Sequence, residues 1–143
     1  MSVKQISVFV ENKSGTLAKI TKVLSENNID LQALSLADTT DFGILRLIVN
    51  NPESAKLVLN ENHFTIKETE VLAVAIDDTP GGLHKVLSVL EKENVAIEYM
   101  YAFTEKTLDH ALVILRVEDN YAAEKILSAN KICVIDADKL YNL

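Results

Sequence analysis

Near the start of the chain Ile6, Val8 and Val10 fall on alternate positions, the spacing of a strand with one buried face, and Phe9 lies on the other face. The alternation breaks at Glu11-Asn12-Lys13-Ser14-Gly15. Leu17, Ile20, Val23 and Leu24 then recur at helical spacing, with Lys19, Lys22, Ser25 and Glu26 on the outer side, which predicts one amphipathic helix ended by Asn27-Asn28. Ile29 to Asp38 reads as extended, Thr39 to Gly43 as a turn, and Ile44 to Val49 as a strongly apolar third strand. Asn51-Pro52 offers a cap followed by proline at the first helical position, and Ala55, Val58 and Leu59 mark the buried face of a second helix. Thr65 to Glu70 closes the series as a strand.

The same series recurs. Gly15-Thr16-Leu17-Ala18-Lys19-Ile20 returns as Gly81-Gly82-Leu83-His84-Lys85-Val86, a shift of 81 − 15 = 66 residues. Beyond residue 40 the copies align better at a shift of 68, Val49 with Val117 and Leu59 with Leu127, which places a two-residue insertion in a hairpin of the second copy. The second series runs through Val71 to Ile76, Pro80 to Glu93, Val95 to Phe103, Ala111 to Val117, Asn120 to Ser128 and Lys131 to Asp136. The expected fold is α+β: two tandem ferredoxin-like βαββαβ units, residues 1–70 and 71–143, with antiparallel sheets. A unit of roughly 65 residues is marginally stable alone, so the two are expected to pack together. Thr69-Glu70-Val71-Leu72 joins them without Gly, Pro or Ser. Asp136, Asp138 and the tail Lys139 to Leu143 read as a solvated terminus.

Composition narrows the function. With 48% apolar and 24% charged residues the 143-residue chain can bury a core, which excludes disorder. Fourteen Lys and Arg face 21 Asp and Glu, and the net charge of −7 is the wrong sign for holding nucleic acid. No apolar run reaches the ~20 residues of a membrane span, and the alternating N-terminus is no signal-peptide block, so a cytoplasmic location is expected. The single cysteine, Cys133, leaves no disulfide and no zinc-spaced cluster. His63, His84 and His110 have no metal-ligand spacing, and no nucleophile elbow or phosphate loop is present, so no metal, cofactor or catalytic residue is assigned. Tyr99, Tyr101 and Phe103 are placed on one strand face with Val95 and Ile97, as sheet packing or a subunit interface.

Three of the four glycines, Gly15, Gly81 and Gly82, sit where a first strand turns into a first helix. Glycine permits positive φ and close approach of a ligand, and the following helix points N–H groups and its positive dipole end into the same space, which suits a carboxylate. Asn12 and Asp78, each three residues before the loop glycine, offer oxygens to an ammonium group. The plainer role of these residues is to shape a turn, with Ser14 or Pro80 capping the helix.

Glu11-Asn12-Lys13-Ser14-Gly15-Thr16-Leu17 and Asp77-Asp78-Thr79-Pro80-Gly81-Gly82-Leu83 resemble the strand-to-helix signature of ACT domains, and the element order is similar throughout. The resemblance is to a tandem, stand-alone ACT-domain protein. It implies a non-catalytic regulatory role in which a free amino acid binds between two ACT units. It further implies that the loop at Asn12 faces Val95-Ala96-Ile97, and that the loop at Asp78 faces Ile29-Asp30-Leu31. Ser14 departs from the family's usual proline before the glycine, and Asp30 and Ala96 stand where serine-binding relatives carry asparagine. The two pockets are therefore expected to differ: Asp78 with Asp30 is acidic, Asn12 with Ala96 neutral. The ligand-binding candidates are Glu11, Asn12, Ser14, Gly15, Thr16, Leu17, Ile29, Asp30, Leu31, Asp77, Asp78, Pro80, Gly81, Gly82, Leu83, Val95 and Ala96. Apolar residues on both faces of Ile44 to Val49 and Ala111 to Val117 suggest a homodimer. A regulated metabolic enzyme is a further expected partner, and a ligand-independent interaction module is the alternative.

Overall fold

In the computed structural model, which describes residues 2–38, 41–104 and 110–142, the opening alternation becomes strand β1 (Val3–Glu11). It is followed by α1 (Thr16–Glu26), β2 (Leu31–Asp38), β3 (Phe42–Val49) and α2 (Pro52–Glu61). Strand β4 (Thr65–Asp77) is one continuous strand of 13 residues where the sequence pattern suggested two. It closes the first repeat and opens the second, as expected for a junction with no glycine or proline to break extended backbone. After it come α3 (Gly82–Lys92), β5 (Ile97–Ala102), β6 (His110–Val117), α4 (Asn120–Ala129), the short β7 (Val134–Ile135) and α5 (Ala137–Tyr141).

The chain divides into two compact units. One comprises Lys4–Thr69 with the chain end from Tyr141, the other Glu70–Leu140 with the first residues up to Val3. In the first, β2 pairs with β3 and β3 with β1, both antiparallel, and β4 neighbours β1. In the second, β5 pairs with β6, β6 with β4, and β4 with β7, all antiparallel. Both therefore show the same strand permutation, the ferredoxin-like one. The hairpins confirm the insertion: Leu36 pairs with Leu45 and Ala102 with Val113, so the shift is 66 before the turn and 68 after it. The expected turn residues Thr39 and Thr40, and residues 105–109 of the second hairpin, lie outside the described residues. Phe42 and Gly43, expected in the turn, belong to β3 because they pair with Glu11 and Val10.

Each unit packs its two long helices on one sheet face. In the first, Ile6, Val8, Leu45 and Leu47 meet Ile20, Leu24, Ala55 and Leu59. In the second, Leu72, Val74, Val113 and Leu115 meet Val86, Leu90, Ala123 and Leu127. Ile48 and Ile114, on the other side of their strands, are also fully buried within the single chain, so two-faced apolarity does not by itself call for a second copy.

Two sequence expectations are corrected. Asp136 and Asp138 are exposed, but the tail after them is not wholly solvated: Leu140 is buried, the Lys4 backbone N–H donates to the Tyr141 hydroxyl at 2.8 Å, and Gln32 Nε2 donates to the Tyr141 carbonyl at 3.5 Å. Ala137, Leu140 and Tyr141 lie three and four residues apart, a helical stripe too short to stand out from a pattern. The aromatic stripe is also split. A register shift between Ile97 and Tyr99 sends Val95 and Ile97 into the helix-side core, while Tyr99 and Tyr101 pair with Arg116 and Ile114 on the opposite face.

Candidate functional site

Each glycine loop is a tight turn between the end of a strand and the start of a helix. Gly15 and Gly81 both adopt φ +90°, a left-handed conformation other residues seldom take, and each stands at the N-cap of its helix. Neither helix receives a side-chain cap, so Ser14 and Pro80 do not serve as the caps considered from sequence. The loops close in the same way: Thr16 N–H donates to the Lys13 carbonyl at 3.3 Å, and Gly82 N–H to the Thr79 carbonyl at 3.0 Å. Helices α2 and α4 differ. There Asn51 accepts from Ser54 N–H at 3.2 Å, and Asp119 accepts from Ala122 N–H at 3.1 Å. Among the four long helices, the two starts without a side-chain cap are those in the glycine loops, where first-turn N–H groups carry partial positive charge.

The remaining candidates surround these helix starts unequally. Glu11 ends β1 and forms an ion pair with Lys13 at 2.7 Å, and this carboxylate, as hydrogen-bond acceptor and as charge, raises the Lys13 pKa above its ordinary value. Asn12 N–H donates to the Asp41 carbonyl at 3.1 Å. Thr16 and Leu17, with Leu36 of β2, border a cleft of about 60 Å³ beside Asn12. In the second unit Asp77 occupies the place of Glu11 and faces His110 at 3.9 Å, across the register in which Asp77 pairs with His110. Asp78, Pro80 and Gly81 are exposed, Leu83 is half-buried, and Gly82 is buried. Gly82 cannot carry a side chain without displacing backbone, because a Cβ would collide with the Asp77 carbonyl.

Ile29, Asp30 and Leu31 lie beyond the other end of α1. That helix has 11 residues, about 16 Å of rise, so one unit's glycine loop and its own second-strand start do not converge. Asp30 N–H donates to the Asn50 side-chain oxygen at 3.0 Å, and both line an open cleft of about 540 Å³ with Thr21 and Leu31. Val95 and Ala96 hold the equivalent place before β5, Val95 half-buried and Ala96 exposed.

A second kind of cleft flanks each of these helices on the side of the strand that closes the unit. In the first unit Phe9, Thr16, Phe42, His63, Phe64 and Thr65 surround about 340 Å³. In the second, Ala75, Gly82, Lys85, His110, Lys131 and Cys133 border about 230 Å³. Sequence reading left His110 and Cys133 without partners. The signal that unites them is long-range strand register, which no local spacing encodes. Among the described residues no three His, Cys, Asp or Glu gather as a metal set, and no helix is long and apolar enough to cross a membrane.

A family model described as ACT domain pair matches residues 1–143. Over its whole length the chain is similar to a crystallised protein from Bacteroides thetaiotaomicron, at 41% identity and a TM-score of 0.93 with 98% of that chain covered. The ligand-free regulatory subunit of aspartate kinase from Thermus thermophilus aligns over 90% of this chain and 91% of its own, at 16% identity and a TM-score of 0.63. The corresponding subunit from Thermus flavus aligns over 90% of both chains at 17% identity and a TM-score of 0.60, and these two likenesses are of fold. None of the curated proteins matches.

Proposed function

The chain belongs to the ACT domain pair family, whose role is regulatory, ligand-binding and non-catalytic, and from that premise we propose that its glycine loops hold the charged ends of a free amino acid. The observation that carries this reading is the contrast in capping. The α1 and α3 starts combine left-handed glycine with no side-chain cap, whereas α2 and α4 are capped by Asn51 and Asp119. A carboxylate at either uncapped start meets N–H donors and a favourable dipole, and the Asn12 or Asp78 side chain accepts from the ammonium group.

In this proposal the ligand bridges two ACT units, the loop of one working with the Ile29-Asp30-Leu31 or Val95-Ala96 segment of another. Binding then favours one arrangement of the units, which a second copy of the chain or a regulated metabolic enzyme reads. The second loop carries Asp77 and Asp78 where the first carries Glu11 and the amide Asn12, so the two sites differ in ligand preference.

A thermal-shift panel of the twenty amino acids tests the proposal. A ligand at about 100 times its dissociation constant adds about 2.7 kcal/mol, worth about 5–10 °C for a chain of this size. Loss of that shift in Gly15→Val or Gly81→Val identifies the loop that binds. No shift with any amino acid supports a ligand-independent interaction module instead.

A further inference from the structure

We infer that the cleft between α3 and the strand closing the second unit is a distinct site for a small aliphatic carboxylate. The duplication supplies an internal control. In the first unit Lys19 places its ammonium over the Phe64 ring, 5.6 Å from the centroid, so the cation is already satisfied. The repeat shift converts Lys19 to Lys85 and Phe64 to Ile132, which keeps the cation and removes the ring. Lys131 joins it across the cleft, at the place of His63. Among the described residues no carboxylate comes within ion-pair reach of Lys85 or Lys131, although acidic residues outnumber basic ones 21 to 14 along the chain. The carboxylate that does line the cleft, Asp77, faces His110 at 3.9 Å and not either lysine.

Lys131 is held at φ +61°, a left-handed helix end where the equivalent positions after α1 and α3 carry Asn28 and Asn94. Asparagine suits that conformation better than lysine, so the fold alone gives no reason for an ammonium there. Ala75, Val86 and Ile132 give the cleft an apolar lining beside the two lysines. A volume of about 230 Å³ suits a molecule of amino-acid size. Two cations beside an apolar lining favour a carboxylate on a short branched hydrocarbon over an uncharged isostere, which lacks the charge, and over inorganic phosphate, which lacks the hydrocarbon.

Cys133, the only cysteine, borders this cleft and is exposed, which makes its thiol a native reporter. The test measures the rate of Cys133 alkylation by iodoacetamide in the full chain, with 3-methylbutanoate, 3-methylbutanamide or inorganic phosphate as probe. The expected result is at least fivefold protection by 3-methylbutanoate and none by the other two. Lys85→Gln and Lys131→Asn each weaken its binding at least tenfold, and Lys85→Arg retains it. Because Lys131→Asn should melt no lower than the parent, its loss of binding is not a loss of fold. Equal protection by the amide or by phosphate overturns the inference, as does undiminished binding in folded Lys85→Gln and Lys131→Asn. Gly15→Val, in the other unit, should leave protection intact. The cleft shares Asp77 and Gly82 with the second glycine loop, so Gly81→Val separates the two readings: protection by 3-methylbutanoate that persists in this variant keeps the cleft distinct, and protection lost in it overturns the inference.

Discussion

Helices α1 and α3 begin in a different way from α2 and α4, although each pair arose by the same duplication. Asn51 and Asp119 spend their side chains on the first-turn N–H groups of α2 and α4, and both lie in ordinary connections between a strand and a helix. Gly15 and Gly81 begin α1 and α3 with backbone alone. A glycine N-cap gives up only a few tenths of a kcal/mol against a side-chain cap, and the chain accepts that at two equivalent places while keeping side-chain caps at two others. The difference teaches where donors are left to be completed from outside the helix.

The largest effect should come from Gly82, a loop glycine that the first copy lacks. Gly82 replaces Thr16, and a Cβ there meets the Asp77 carbonyl. Gly82→Ala should cost about 3 kcal/mol, read as the midpoint shift of urea unfolding, because backbone has to move. Thr16→Gly, at the place that already carries a side chain, should cost about 1 kcal/mol or less. Equal losses would mean that the two loops are interchangeable and that the asymmetry has no structural basis.

Next come the caps themselves. Nothing lies within 4 Å of a Cβ built on Gly15 or Gly81, so Gly15→Ala and Gly81→Ala should lose about 1 kcal/mol each through left-handed strain and not through collision. Asn51→Ala and Asp119→Ala should lose a similar amount, about 1 kcal/mol, through an unsatisfied N–H. The sharper distinction is in ligand response. A saturating amino acid should restore none of the stability lost in the Asn51 or Asp119 variants, while the Gly15 and Gly81 variants should show altered ligand shifts in the same melting experiment.

What the sequence carried and what it withheld separate along a physical line. Periodicity located all four long helices, because Ile20, Val23 and Leu24 or Val86 and Leu90 declare a buried face within a few residues. The glycine loops were visible too, since positive φ leaves a direct compositional trace. Register did not show. The shift between Ile97 and Tyr99 turns the aromatic residues to the other face, and Asp77 meets His110 only because β4 and β6 pair where they do. The tail eludes the sequence pattern for a related reason: a five-residue helix has one stripe of Ala137, Leu140 and Tyr141, and the partners that hold Tyr141, Lys4 and Gln32, are distant in sequence.

The smallest predicted effect tests whether the two units also differ in surface electrostatics. In the first, Glu53 lies 3.2 Å from both Lys56 and Lys4, and Lys56 reaches Glu68 at 3.0 Å, a network linking β1, α2 and β4. Hydrogen bonds from Lys56 and then Lys4 hold the Glu53 carboxyl below its ordinary pKa, and Glu68 followed by Glu53 raises the Lys56 ammonium. By the repeat shifts the same places in the second unit hold Glu70, Tyr121, Glu124 and Asp136, so no matching network exists there. Because the folded Glu53 pKa is the lower one, its contribution is complete above the unfolded value of about 4.5 and disappears as pH falls through the folded value. Glu53→Gln should therefore be slightly less stable than the parent at pH 7 and indistinguishable from it in strong acid, with the pH 7 difference shrinking further in high salt. Tyr121→Gln, the counterpart in the second unit, lacks this ion-pair network, so urea unfolding across the same pH series should show no such convergence. Parallel acid profiles for the two variants would show that the network contributes nothing that the second unit lacks.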